Sequence, residues 1–591
     1  MVFRLWCCVV LVLSASACEG SRLTGTLSGD AFVDTGVEDS AEPDAGPTDT
    51  TLEDSAAADG DDDDADGDDD TTLADSQEDV GPGDTADAAD ATDAEDANDA
   101  EDANDADAAD TTGSDATGSD ATVTVGAPDR ILLIGVVVTP DVAFEGEVLV
   151  VGDTIVCAEP GDACSTSPDA VGATIIDTAG GVIAPGLIDT HNHILFDIFD
   201  DDDWLPSQSY ADHTQWTSEP RYAAMLDVKQ CLADDSQGKP DWCPLSYDGD
   251  GSLKCELDKW GELKGMIAGT TSIVGLPGTS KACFASLSRS IDSPQNDLGS
   301  DRIQTSALFP PSKSSGDGVC ANFADGDTEA YLIHCGEGIN AKALAEFTKL
   351  GTLTTVPMCL YAPQTVITHG TAFGPTEFTT MATHGMKLTW SPASNVALYG
   401  ATTDIPAALD ADVVITLAPD WSMGGSQNLL DELHFAAAWD DDYFDDRLDA
   451  RDLVFMTTAN AAFALAVDDR LGTLAPGMLA DVMVVQGDGG DPYAAIVAAT
   501  PATVTLTMIG GKILYGDGAL EPAAPQAPGC EQVDICGVPK FLCVAETSTA
   551  DKLNQTYAAI KGALEAALLD LDAVSGDGFD FAPLAPLVRC E

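Results

Sequence analysis

The sequence predicts an α/β fold, namely a TIM-like (β/α)8 barrel with a small β-sandwich domain and a disordered acidic N-terminal linker. Three observations predict it. Apolar strand-like runs alternate with helical patterns over residues 184–469, β-rich runs lie on both sides of that region, and an aspartate-rich segment precedes it. Alternation of this kind and length is typical of parallel sheets whose strands are joined by helices.

Acidic residues dominate the composition. The 591 residues have a formal net charge of −78; residues 21–125 contain 35 acidic and one basic residue, and residues 126–591 contain 66 acidic and 22 basic residues, a net of −44. A field of this sign repels nucleic acid and anionic membrane surfaces, so we expect no nucleic-acid partner. A saline or extracellular setting and an ordinary solvated surface both account for the charge.

The N-terminus has the pattern of a secretory signal peptide over residues 1–17. One positive residue, Arg4, precedes a short apolar stretch and small residues, and the stretch is too short to span a membrane. Cleavage after Ala17 leaves Cys18 first, and "ASAC" is similar to a bacterial lipobox apart from Ala15, where leucine is usual. We expect an exported protein: a cell-envelope or surface lipoprotein attached to the membrane only through Cys18, or otherwise a periplasmic or secreted protein.

Residues 18–125 predict a disordered linker. Near-repeats such as "DAEDANDAEDAND" contain almost no aromatic residues and cannot bury enough surface to fold. The "DDDDADGDDD" run lacks the glycine and terminal glutamate of an EF-hand loop, which argues against tight calcium binding. Self-repulsion between the carboxylates should extend the segment into a tether.

The remaining segments follow in order. Residues 126–183 and 470–522 contain short β-rich runs, such as "GEVLVVGDTIVCAEP" and "ATVTLTMIGGKILYGDG", and predict the two parts of the sandwich. Between them, at 184–469, the barrel strands are expected at "GVIAPGLID", "GTTSIVGL", "RIQTSALF", "AYLIHCGEG", "QTVITHG", "MKLTWSP" and "VVITLAPD". Residues 523–591 predict a cysteine-containing extension that includes an amphipathic helix.

Sixteen cysteines suit an exported, oxidising environment. Thirteen remain after the three near the N-terminus are set aside, an odd number that leaves at least one thiol unpaired. Cys157 and Cys164 form one candidate pair, and four cysteines of the extension form a candidate set (Cys530, Cys536, Cys543 and Cys590). No CxxC pair occurs, which argues against a zinc site made of thiolates.

Two histidines end the first predicted barrel strand. "GLIDTHNH" places His191 and His193 two residues apart, so on an extended strand both side chains point the same way. Active sites of such barrels gather at the carboxyl ends of the strands. Two imidazoles directed at one point favour a metal site, although two ordinary histidines are the alternative.

Three later predicted strands also end in a histidine or an acidic residue. "YLIHCGEG" ends with His334 and is followed by Glu337, "VITHG" ends with His369, and "VVITLAPDW" ends with Asp420. A buried core histidine explains any one of these positions, but it does not explain the recurrence at successive strand ends.

These motifs, in this order, together with "SPASNVALYG" and "ANAAFALAVDDRLGTLAPGMLADVMVV", resemble the amidohydrolase superfamily. The likeness is greatest to the branch of cytosine, guanine and adenosylhomocysteine deaminases and triazine hydrolases, and it covers roughly residues 129–520. It implies one divalent metal ion, zinc or iron, bound by His191, His193, His334 and Asp420 together with a water molecule.

The resemblance also implies the catalytic roles. Such a metal ion lowers the pKa of bound water to about 7. Asp420 would accept the proton of that water, His369 would polarise the attacked group, and Glu337 would carry a proton to the ring nitrogen or leaving group. The two-metal branch needs a lysine after an earlier strand. "GTTSIVGLPG" offers none and Lys281 lies beyond it, so one metal ion is expected.

Several other residues allow two interpretations. His213 is expected to be an ordinary exposed loop residue, and Trp421, with Trp204 and Trp216, either stacks on a flat heterocycle or belongs to the core. Ser391 and Asn395 should shape a loop, His384 and His434 should be structural, and Ser426 should cap a helix. Cys335 is either the unpaired thiol or a small packing residue.

The sequence therefore predicts an exported amidohydrolase that cleaves a C–N bond of a small molecule, by deaminating an aminated heterocycle or hydrolysing a cyclic or linear amide. Displacement of a ring substituent is a variant of the same chemistry. The alternatives are an inactive surface-displayed binding lipoprotein and a two-metal peptidase or lactonase. The substrate, the disulfide pairing and the oligomeric state are not encoded in any readable motif.

Overall fold

The structure is a computed structural model that describes residues 120–235, 238–275, 283, 287–292, 298, 302–306, 311–526, 529–546 and 553–590. The predicted signal peptide, Cys18, Lys281 and nearly all of the predicted linker lie outside these residues. The predicted end of the linker at residue 125 is too late, because Thr122–Thr124 already forms a strand.

The described residues form eighteen strands. In chain order they are β1 (Thr122–Thr124), β2 (Ala127–Val138), β3 (Ala143–Val151), β4 (Thr154–Pro160), β5 (Ala173–Pro185), β6 (Leu187–Asp189), β7 (Thr270–Ile273), β8 (Arg289–Ser290), β9 (Ile303–Ser306), β10 (Ala330–Cys335), β11 (Thr365–His369), β12 (Lys387–Trp390), β13 (Val414–Leu417), β14 (Val482–Val485), β15 (Val504–Ile509), β16 (Lys512–Asp517), β17 (Glu531–Ile535) and β18 (Val538–Leu542).

Helices connect most of these strands. In chain order they are α1 (His213–Trp216), α2 (Pro220–Leu232), α3 (Lys254–Ile267), α4 (Lys313–Asp325), α5 (Ala341–Thr352), α6 (Pro375–His384), α7 (Pro392–Tyr399), α8 (Ile405–Asp410), α9 (Leu429–Tyr443), α10 (Ala450–Met456), α11 (Ala459–Ala464), α12 (Pro492–Val497) and α13 (Tyr557–Val574). The α/β class is confirmed. Within the described residues, no helix combines the length and the apolar character needed to cross a membrane.

Parallel strands form the central part of the fold. Strands β9 to β13 make one parallel sheet in chain order, and β6, β7 and β8 make another. The end of β6 reaches β13 through a parallel bridge between Asn192 and Asp420, where His193 N donates to Asp420 O over 2.7 Å. The hydroxyls of Thr190, Thr389 and Thr416 lie 2.9–3.4 Å apart, so side chains from these strands share one interior.

Both ends of the folded chain contribute to a second, mixed sheet of ten strands. Its order is β17-β18-β16-β15-β14-β5-β2-β3-β4, with β1 beside β5. The junction of the two ends is the antiparallel pair β5–β14, as expected for a domain made from segments on both sides of the barrel. The predicted boundary at residue 522 needs correction, because the hairpin β17–β18 continues this sheet through β16. All ten strands are hydrogen-bonded into one sheet, and a two-layer sandwich stays a prediction.

The C-terminal extension packs on α3 and on the segment that follows β6. The ring of Tyr557 at the start of α13 stacks on Trp260 of α3, with centroids 6.1 Å apart. Near the chain end, Arg589 donates to the carboxylates of Asp200 and Asp202, in the segment that follows β6.

Six disulfides are present in the described residues. The predicted pair Cys157–Cys164 is confirmed, and the four cysteines of the extension pair among themselves, as Cys530–Cys543 and Cys536–Cys590. The sequence did not identify the other three bonds, Cys231–Cys243, Cys255–Cys283 and Cys320–Cys359. Cys335 is a free, buried thiol, which confirms the unpaired residue expected from the odd count.

Candidate active site

The first two site residues follow β6, whose three residues are all buried. Asp189 at the end of β6 fixes the turn: its Oδ1 accepts from His191 N and its Oδ2 accepts from the Asn192 side chain, each over 3.0 Å. Because the buried carboxylate is bound on both oxygens, the backbone that bears His191 and His193 is held in one conformation.

The other site residues come from the ends of three strands in the five-stranded sheet. His334 lies in β10, His369 is the last residue of β11, and Asp420 follows β13. His369 and Asp420 have φ angles of 72° and 70°, in the left-handed region that non-glycine residues rarely adopt. Backbone strain of this kind is common at functional sites and turns each side chain away from its strand.

These side chains meet at one place. Ligand-capable atoms of His191, His334, His369 and Asp420 all lie within 4.8 Å of one another. Asp420 Oδ1 lies 2.9 Å from His191 Nε2 and 3.5 Å from His193 Nε2. The structure thus brings together every residue that the sequence predicted, although the tightest group of four contains His369 in place of His193.

Burial keeps the imidazoles of His191 and His369 neutral. It lowers the pKa of His191 to about 3, and it lowers the pKa of His369 well below the usual range, with the neighbouring histidines adding to the effect. Neutral imidazole nitrogens and a carboxylate oxygen are the donors that divalent transition metals require. The donor set therefore fits a divalent metal ion.

Glu337 lies beside this group, in the loop after β10. The loop turns sharply through Gly336 and Gly338, with φ angles of 74° and 142°, and a Cβ at Gly338 would lie 2.6 Å from Ala211 O. Burial raises the pKa of Glu337 to about 7. A carboxyl group with that pKa can donate and accept a proton near neutral pH. Its Oε2 lies 4.0 Å from His369 Nε2.

A chain of hydrogen bonds orients the ring of His369. The indole of Trp390 donates to Thr402 Oγ1 over 2.8 Å, Thr402 Oγ1 lies 3.4 Å from Asn395 Oδ1, and Asn395 Nδ2 lies 3.0 Å from His369 Nδ1. Indole and carboxamide N–H groups only donate, so Thr402 accepts from Trp390 and gives its hydrogen to Asn395 Oδ1, while Asn395 Nδ2 donates to His369 Nδ1. His369 Nδ1 accepts, and the neutral ring holds its proton on Nε2, facing Glu337. Asn395, expected only to shape a loop, is therefore a site residue.

Aromatic side chains cluster next to the histidines. Trp421 lies 5.6 Å from His193 between ring centroids and contacts Trp204, Trp216, Tyr222 and Phe196. Its indole nitrogen is buried without a hydrogen-bond partner. Stacking of Trp421 on a substrate stays a prediction.

The expectation that His213 is an exposed loop residue is wrong. His213 begins α1, is partly buried, and its Nε2 lies 2.8 Å from Glu346 Oε1. Its backbone N–H also donates to Glu337 O over 3.3 Å. The segment that contains His213 thus packs on the loop that bears Glu337. No local sequence pattern could reveal this contact.

The predicted helix start at Ser426 also needs correction. Helix α9 begins at Leu429, and its N-cap is Asn428, whose side chain accepts from Leu430 N and Asp431 N. Ser426 instead donates to Glu432, a buried carboxyl whose second oxygen accepts from Ala393 N. Burial raises the pKa of Glu432 to about 8, and sequence reasoning gave no signal for it.

The other minor candidates keep their expected places. His384 is at the end of α6, with its ring 5.5 Å from that of Tyr361, and His434 lies within α9. Ser391 is the N-cap residue of α7.

Comparisons with known proteins agree with this geometry. A family model described as the amidohydrolase family matches residues 319–514. A 5′-deoxyadenosine deaminase of Methanothermobacter thermautotrophicus is 25% identical over 382 residues, which cover 59% of this chain and 85% of the relative. A 5-methylthioadenosine/S-adenosylhomocysteine deaminase of Symbiobacterium thermophilum is 26% identical over 429 residues, which cover 66% of this chain and 94% of the relative.

A solved structure shows the same fold. It is a mutant of the atrazine chlorohydrolase of Arthrobacter aurescens TC1 complexed with zinc and atraton, with a TM-score of 0.50 and 18% identity, covering 67% of this chain and 96% of that chain. The family match and the deaminase relatives confirm the resemblance seen in the motifs: the chain is an enzyme that is similar to the deaminase-like branch of the amidohydrolase superfamily.

Proposed function

We propose that this protein is an exported hydrolase that uses one zinc ion to cleave a C–N bond of a small molecule, by deaminating an aminated heterocycle or hydrolysing a cyclic or linear amide. The observation that carries the proposal is the buried group in which ligand atoms of three histidines and Asp420 lie within 4.8 Å of one another, beside Glu337. The similar deaminases favour amine removal from a purine-like ring over amide hydrolysis.

The proposed ligands are His191, His193, His334 and Asp420. When bound, a divalent cation supplies Lewis acidity that makes water nucleophilic near neutral pH. His369 is left out of the ligand set because Asn395 engages Nδ1 and keeps the proton on Nε2. An Nε2–H group cannot coordinate a cation, but it can donate to the substrate atom on which negative charge develops.

The chain's own residues then move the protons. Asp420 accepts a proton from the attacking water, whose oxygen forms the new bond to carbon. Glu337, with a pKa raised to about 7 by burial, delivers a proton to the departing nitrogen as the C–N bond breaks. The nitrogen leaves as ammonia or an amine, and Glu337 regains its proton from the one released by the water.

We also propose that the eight parallel strands close into a (β/α)8 barrel whose strand ends carry the site. The order of the strands along the chain supports this proposal, and so does the bridge between Asn192 and Asp420, which joins the ends of β6 and β13.

Export, with lipid attachment at Cys18, is part of the proposal. Two observations support it: the signal-like pattern of residues 1–17, and the six disulfides in the described part of the chain, which are typical of oxidising compartments.

The test is to measure metal content and ammonia release on the purified protein. We expect about one zinc ion per chain, and ammonia from a member of a panel that includes 5′-deoxyadenosine, 5′-methylthioadenosine and other aminated heterocycles. His191→Ala should lose both metal and turnover, whereas His384→Ala, at the end of α6 and outside the site, should keep both. Two metal ions per chain would favour the peptidase or lactonase type, and a metal-free wild-type protein would refute the proposal.

A further inference from the structure

Glu337 accepts a hydrogen bond from a side chain of α7, which is itself bound by a side chain of α1. Tyr399, the last residue of α7, donates its O–H to Glu337 Oε1 over 2.5 Å, and the indole of Trp216 in α1 donates to the Tyr399 oxygen over 3.0 Å. All three side chains are buried, with 8% or less of each residue exposed. Three segments that are distant in the sequence therefore converge on one carboxyl group.

The two bonds of the Tyr399 hydroxyl differ in direction. An indole N–H only donates, so the Tyr399 oxygen accepts from Trp216, and its own hydrogen is donated to Glu337 Oε1, which lies 2.5 Å away. The proton that Glu337 carries is then placed on the other oxygen, Oε2, on the side of the carboxyl group nearer His369. Oε2 and His369 Nε2 lie 4.0 Å apart, too far for a hydrogen bond between them, so both hydrogens remain available to a substrate. A carboxyl group without the Tyr399 contact could hold its proton on either oxygen or rotate away from the site.

We propose that Tyr399, supported by Trp216, is a positioning residue that keeps the transferable proton of Glu337 on Oε2, directed into the active site. This inference rests on the proposed function, since it assigns a task to the proton carrier of that reaction. Tyr399 donates its hydrogen bond to Glu337, and in this inference it acts on the reaction through that carboxyl group.

The test is a double-mutant cycle with two readouts. For turnover, Tyr399→Phe keeps the ring and should lower kcat about 10- to 100-fold, with KM changed by less than about threefold and metal content unchanged. In a Glu337→Gln background, the same substitution should cause no further loss. Trp216→Phe should lower kcat by a smaller factor, because it removes the hydrogen bond to Tyr399 but leaves the bond from Tyr399 to Glu337 in place.

The matched control is Tyr515→Phe. Tyr515 is equally buried, and its O–H donates to Pro501 O over 2.7 Å, far from Glu337 along the chain. It should lower the thermal unfolding midpoint about as much as Tyr399→Phe while leaving kcat unchanged. Equal kcat values for the two variants, or a Tyr399→Phe effect that persists in the Glu337→Gln background, would overturn the inference.

The second readout needs no substrate. The shifts in unfolding midpoint of Tyr399→Phe and Glu337→Leu should not add in the double variant, because each substitution removes one partner of the same hydrogen bond. Additive shifts would refute the contact. If the purified wild-type protein contains no metal, the proposed function fails, and the stability cycle still decides whether Tyr399 holds Glu337.

Discussion

At the scale of single residues, the site depends on which groups donate and which accept. Burial makes the imidazoles of His191 and His369 neutral, and a neutral imidazole has one donor and one acceptor nitrogen. His369 and Asn395 show the consequence, because a carboxamide nitrogen opposite Nδ1 turns Nε2 into a donor. The neighbour of each histidine thus decides between metal ligation and hydrogen bonding to substrate.

This reasoning predicts the effect of Asn395→Asp. A carboxylate has the shape of the carboxamide but only accepts, so it draws the His369 proton from Nε2 to Nδ1. We expect kcat to fall roughly 100-fold, the loss typical of removing one donor to a developing negative charge. Metal content, measured by elemental analysis, should not decrease, since the proposed ligands are untouched. Unchanged turnover in this variant would show that His369 Nε2–H takes no part in the reaction.

At the scale of elements, the strand ends were predictable and the loop contacts were not. His191, His193, His334, His369 and Asp420 follow apolar runs, so local pattern and the rule for parallel strands predicted their meeting. The bonds from Trp216 to Tyr399 and from His213 to Glu346 join residues 183 and 133 positions apart. They depend on how irregular loops pack, which no periodicity encodes.

The same limit applies to the C-terminal hairpin. Its cysteines predicted a disulfide-bonded appendage, but the continuation of the sheet from β16 to β18 rests on a buried ion pair that the sequence did not reveal. Lys540 of β18 is fully buried, and its Nζ donates to Asp517 Oδ1 over 2.5 Å and to Val504 O over 2.7 Å. The pair joins β18 to both β16 and β15.

We therefore predict that Lys540→Met destabilises the fold. Removing one member of a buried pair leaves an uncompensated carboxylate, which typically costs about 3–5 kcal/mol. Denaturant unfolding at neutral pH measures this loss. The double variant Lys540→Met/Asp517→Asn should regain a large part of it, because no buried charge remains. A loss under about 1 kcal/mol for the single variant would contradict the buried-pair assignment.

At the scale of the whole molecule, charge is the dominant feature. Residues 126–591 have a net charge of −44, which is distributed over the folded part and not confined to the predicted linker. Self-repulsion of this size opposes the compact state, because unfolding lets the charges move apart. Stability should therefore depend on how well the solvent screens the charges.

We predict that the thermal unfolding midpoint rises by several degrees when NaCl is increased from 0.1 to 1 M, because the Debye length falls from about 10 Å to about 3 Å. Calorimetry at fixed pH, with saturating zinc, measures the shift without a contribution from metal loss. Sucrose at matched osmolality is the control, since it stabilises folded proteins by exclusion but does not screen charge. A rise no larger in NaCl than in sucrose would show that the acidic residues are too widely spaced to repel one another effectively.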